Sequence, residues 1–180
     1  MSEQKTRIRF IMLATILRQI SLAILFGGSA SIVFAAITLV KAAEANGIPV
    51  SEAASANAPI FIQFGRVAVG AGVALLLAES LDFAMRGRPG RLTTARYISS
   101  LLCVASTMIF AYAIVPPMEA LRAEMSTNQA ARESFRKLHE VSRAVFGSTI
   151  LLAMVSLVVP AFETPTGNAL RPTDQSTRDS

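Results

Sequence analysis

Apolar residues fall into four long blocks separated by short polar stretches. Ile20–Val40 contains no ionisable residue, and about 20 such residues cross a bilayer's hydrocarbon core as a helix. A second block covers residues 59–84. It is apolar from Val67 to Ala78 and carries Gln63, Arg66, Glu79 and Asp82 towards its ends. The third, Tyr97–Val115, and the fourth, Ala144–Phe162, hold no charge, with Pro116 and Pro117 after one and Pro160 closing the other. Buried core helices of a soluble bundle can also be apolar all round, but helices this apolar leave almost no amphipathic face for water, which argues against that alternative. The pattern predicts an all-α integral membrane bundle of four transmembrane helices, at about 20–40, 59–84, 97–115 and 144–162.

The intervening segments complete the layout. Residues 1–19 mix Ile8, Met12, Leu13 and Ile16 with Arg7, Arg9 and Arg18, as expected of a basic interfacial helix that runs on into the first span. Residues 41–58 contain Gly47, Pro49 and small polar residues, and are expected to form a short extracytoplasmic loop. Arg86 to Arg91 (RGRPGR) cannot stay helical through Gly87, Pro89 and Gly90, so a tight turn should make the second and third helices antiparallel neighbours. Phe135, Leu138, Ser142 and Val145 fall on one helical face, so an amphipathic helix is expected to start near Asn128 and lead unbroken into the fourth span. The polar tail, 163–180, lacks aromatic residues and is expected to be disordered in the cytoplasm.

Composition sharpens this picture. The 180 residues are 52% hydrophobic, with a mean hydropathy of +0.50. The net charge of +5 and a pI near 10.1 come from juxtamembrane Lys and Arg that are not interleaved with aromatics. That arrangement indicates anionic lipid headgroups as the counter-charge and argues against nucleic acid. Ten Lys and Arg lie on the side of the termini and six on the other, so the positive-inside rule places both termini in the cytoplasm. Arg18 and Gln19 interrupt any signal-peptide core, and the apolar run continues past Ser31, as in a retained anchor. A bacterial inner membrane fits these features.

Little chemistry is legible. There is no Gly-rich phosphate loop, nucleophile set or metal-ligand spacing. The single Cys103 and single His139 exclude a disulfide and a conventional His/Cys metal cluster within the chain. No enzyme activity, metal or cofactor is expected. Candidate polar residues are Arg66, costly inside hydrocarbon unless it snorkels or is paired, and Glu79, Asp82 and Arg86, which share one face. Asp82 and Arg86 are spaced for an ion pair, and Glu79 is the deepest carboxylate. His139 and Ser142 stand where a helix enters the fourth span. Gly27 with Ser31, Ala68 with Gly72, and Gly70 offer small surfaces for helix packing, within the bundle or against a partner.

The order Pro116-Pro117, a charged amphipathic stretch, then Phe135-x-x-Leu138-His139-x-x-Ser142 entering the last span resembles the domain of unknown function 4149. The eukaryotic members of that family are called transmembrane protein 205. Pro59-Ile60-Phe61 and Gly70 are also similar to its pattern, so the likeness covers about residues 20–162. The chain has Phe146 where some members carry a polar residue. The resemblance implies a four-span membrane protein with no established reaction. Two functions fit: a structural or accessory subunit that packs with itself or a larger membrane complex, or a transporter or ion pathway using Arg66 and Glu79. An inward or outward direction of those two side chains separates them.

Overall fold

A computed structural model describes residues 2–86, 89–125 and 127–162, and the tail from 163 lies outside the described residues. Helices α1 (Ser2–Ala23) and α2 (Ser29–Ala45) are joined end to end by a π-helical turn, Ile24–Gly28. Such a turn inserts one residue and shifts the faces presented on either side of it. Gly47 then ends the rod with φ +75°, a left-handed conformation that glycine adopts at little cost. Its N–H donates to the Glu44 carbonyl and that of Ile48 to the Ala43 carbonyl, both at 3.0 Å, closing a Schellman motif.

Helix α3 covers Val50–Arg86 with Pro59 inside it. The expected loop over 41–58 is therefore corrected to four residues, Asn46–Pro49. Pro49 is preset for a helical start, and its carbonyl accepts from Glu52 and Ala53. Helix α4 (Arg91–Met108) continues through a second π turn, Ile109–Ile114, into α5 (Val115–Glu124). Pro116 and Pro117 thus do not end the third helix as expected. They sit in the first turn of α5, where a missing N–H costs least. Helix α6 covers Gln129–Val158 and ends in a 3-10 turn, Val159–Phe162, that holds Pro160. The Asn128 side chain caps its start, accepting from Ala130 N at 2.9 Å and Ala131 N at 3.3 Å. Phe135, Leu138, Ser142 and Val145 turn inward along it.

Four rods result, and each holds a stretch of 31 to 43 residues, long and apolar enough to cross a membrane. They alternate in direction. Arg7 donates to the Met85 carbonyl at 2.6 Å, and Ser156 meets Ser99 at 2.6 Å. The start of α1, the turn between α3 and α4, and the end of α6 therefore lie together at one end of the bundle. The core is made of Leu22, Leu25, Ala68, Ala71, Leu75, Cys103, Val104 and Ala153. Phe146 packs within 6.3 Å, centroid to centroid, of Phe61, Phe64 and Phe110. Outside, Phe34 is 73% exposed and Leu77 62%, and a continuous shell of such residues would aggregate in water. The chain is a multi-pass membrane protein.

Candidate functional site: a buried ion network

Helical spacing brings Glu79, Asp82 and Arg86 to one face of α3, and that face meets the first turns of α4. Arg96 donates from Nη2 to Glu79 Oε2 at 3.0 Å and to Asp82 Oδ2 at 2.5 Å. Asp82 also accepts from Arg86 Nε at 2.6 Å, through Oδ1, and from the Tyr97 hydroxyl at 3.0 Å, through Oδ2. Glu79 Oε1 accepts from Ser100 at 2.8 Å. The Arg96 guanidinium lies 4.6 Å from the centroid of the Tyr97 ring, a cation–π distance. Arg96 and Asp82 are each 1% exposed. Taking two such charges out of water costs several kcal/mol each, which only dense pairing of this kind offsets.

Arg18 of α1 is 4% exposed. The charges of Arg96, Glu79, Asp82 and Arg86 all act on it. Among the described residues, however, its Nε and Nη1 meet no hydrogen-bond partner, and the same holds for Nε of Arg96. Three guanidinium groups thus stand against two carboxylates.

Hydroxyl groups extend from the network along the contact of α4 with α6. Ser156 Oγ also lies 3.2 Å from Ser100 Oγ, an alternative acceptor for the hydroxyl that bonds Glu79. A separate cluster joins Ser106 to Ser148 at 2.8 Å and Thr149 to Ser106 at 3.0 Å, with Cys103 Sγ against the Thr149 carbonyl at 3.5 Å. Ser142, Thr149 and Ser156 recur at seven-residue steps and are all buried, so they share one face of α6.

The remaining candidates lie elsewhere. Arg66 is exposed and reaches Gln63 Oε1 at 3.4 Å. It sits about 20 Å along the helix from Glu79 by helical rise and does not join the network. His139 is exposed and stacks on Phe135 at 6.3 Å, while the buried Ser142 hydroxyl turns back to the His139 carbonyl at 2.7 Å. These two do not form a shared side-chain site. The packing expectations divide. Ala68 is buried, and Gly72 lies where an added methyl would touch Val104 at 3.5 Å and Met108 at 3.6 Å. Gly27 and Gly70 have nothing of the chain within that reach, and Ser31 is exposed. The close approach belongs to Gly28, where an added methyl would meet the Phe64 ring at 2.7 Å.

Arg18 and Arg96 stand out in the sequence only as juxtamembrane charges, and the spans looked poor in polar groups. The signals that mark them are the run Arg96-Tyr97 followed by Ser99-Ser100, and the seven-residue recurrence from Ser142. No group of three or more His, Cys, Asp or Glu able to hold a metal occurs among the described residues. No family model, curated protein or solved structure matches the chain.

Proposed function

We propose that this chain is a structural or accessory subunit of a membrane complex, a four-span bundle that associates through its first span with itself or with a larger partner. The observation that carries this reading is the open small-residue surface at Gly27 and Ser31, one turn apart on the first span. Nothing of the chain lies within 4 Å of where a side chain at Gly27 would begin. In lipid, a notch of this kind lets a second helix approach closely. The polar groups within the spans are largely engaged with one another, which suits a scaffold. In this reading the partners are the bilayer and another membrane protein or copy of this chain, and nucleic acid has no place. The charge bias supports both termini on the cytoplasmic side of a bacterial inner membrane. The resemblance to the domain of unknown function 4149 supports the four-span architecture and brings no reaction with it.

The transport alternative calls for Arg66 and Glu79 on one inward path. Arg66 lies outside the bundle, and the two hydroxyl clusters stand about 10 Å apart by helical rise, from Thr149 to Ser156. Extraction of the tagged chain in a gentle detergent, followed by native mass measurement, tests the subunit reading. A stoichiometric complex or homo-oligomer is expected, and a lone monomer would overturn it.

A further inference from the structure

A guanidinium held away from water needs an anion. Unpaired at membrane depth, it costs several kcal/mol even by the most lenient scales. The carboxylates of the network are engaged by other donors, and Nε and Nη1 of Arg18 make no hydrogen bond to them. Asp82 Oδ1 takes Arg86, and Oδ2 takes Arg96 and Tyr97. Glu79 Oε1 takes Ser100, and Oε2 takes Arg96. The cluster holds Arg18, Arg86 and Arg96 against Glu79 and Asp82, with Arg86 39% exposed, and leaves two nitrogens of Arg18 and one of Arg96 without partners among the described residues.

We propose that Arg18, backed by Arg96, is the recognition element for one phosphate-bearing anion at this end of the bundle. A phosphodiester carries a single negative charge, and its paired oxygens suit the planar fork of a guanidinium such as that of Arg18, whose Nε and Nη1 have no partner among the described residues. The level is right for a lipid headgroup, because Arg18 stands two residues before the uncharged run that begins at Ile20. Lys5, Arg9 and Arg91 are exposed on α1 and at the start of α4, and they raise the local concentration of anions there. The long Arg18 stem reaches an arriving headgroup by a change of rotamer, as snorkelling arginines do. This inference is independent of the subunit reading.

The test uses the full chain, delipidated in a neutral detergent. Its probes are phosphatidylglycerol, phosphatidylcholine and inorganic phosphate, read by native mass spectrometry and by the shift in melting temperature. The wild type is expected to retain one phosphatidylglycerol in preference to phosphatidylcholine. Arg18→Gln should weaken that binding at least about tenfold, the equivalent of one charged hydrogen bond, while Arg66→Gln leaves it unchanged. If inorganic phosphate binds with the same dependence on Arg18 and the two lipids do not differ, the phosphate site stands with a free anion as its ligand. Arg18→Lys keeps the charge and loses the fork, so it covers the case in which Arg18→Gln does not fold, and several-fold weaker binding is expected. Binding that is equal in wild type and variant, or a wild type indifferent to both phosphatidylglycerol and phosphate, would overturn the proposal.

Discussion

Arg96 on α4 and Asp82 on α3 meet at 2.5 Å with 1% of either side chain exposed. Only four residues, 87–90, separate the two helices, so the pair clasps them close to where they are joined. Burial makes the clasp asymmetric: removing one partner strands the other charge where water cannot reach it.

Arg96→Met should therefore destabilise the bundle by about 3–5 kcal/mol, because Glu79 and Asp82 lose their shared cation. Arg86→Ala should cost about 1 kcal/mol or less, since Arg86 is 39% exposed and partly screened. Unfolding of each variant in mixed detergent micelles measures the difference. Equal losses would mean that Arg96 is hydrated.

The hydroxyl seam predicts a measurable coupling. Ser99 and Ser156 share a hydrogen bond between α4 and α6 at 2.6 Å, and such bonds in membrane bundles average about 0.6 kcal/mol. A double-mutant cycle of Ser99→Ala and Ser156→Ala should return a coupling of that order. A coupling of zero would contradict the bond.

Neighbouring glycines should behave in opposite ways. Gly27→Ala meets nothing of its own chain and should be neutral or stabilising in the dissociated monomer, as helix propensity favours alanine by about 1 kcal/mol. Gly28→Ala would push a methyl against the Phe64 ring, so it should destabilise by about 1–3 kcal/mol, the usual cost of overpacking. The same micelle unfolding assay compares them, and a gain in stability at Gly28 would contradict the contact.

How much of this was legible in the sequence depended on which force decided each feature. Hydrophobic length alone sets the four spans, so their number and the uncharged runs Ile20–Val40 and Ala144–Phe162 could be read directly. The start of α6 was readable because Asn128 caps it and Phe135, Leu138 and Ser142 keep a helical period. Pro116 and Pro59 misled for one reason: a proline reads as a boundary, yet in these long rods the first occupies an opening turn and the second is carried inside α3. The carboxylates Glu79 and Asp82 were visible as a face, but their partner was not. Arg96 follows a turn and resembles any juxtamembrane charge, and only the packing of α4 on α3 brings it inward. Arg18 was hidden in the same way by the basic N-terminal segment. Gly28, which packs beside Phe64 inside the bundle, was not singled out, because nothing in the sequence pattern distinguishes it from its neighbour Gly27.

The two ends of the bundle can be assigned to sides of the membrane by cysteine labelling. Cys103 is fully buried and should resist maleimide until the protein is unfolded. In a Cys103→Ser background, Gln4→Cys should react from the cytoplasmic side and Glu44→Cys from the opposite side. Intact cells and inverted vesicles, each with an impermeant reagent, separate the two. Labelling of both from one side would contradict a first rod that crosses the membrane.

The central claim is that the first span offers its small-residue notch to another helix. Native mass measurement of the extracted chain beside its Gly27→Leu and Ser31→Leu variants tests it most directly. A complex or homo-oligomer in the wild type that falls to a folded monomer when either notch position is filled is the predicted result. A wild type that is already monomeric, or variants that assemble as well as it does, would contradict the account.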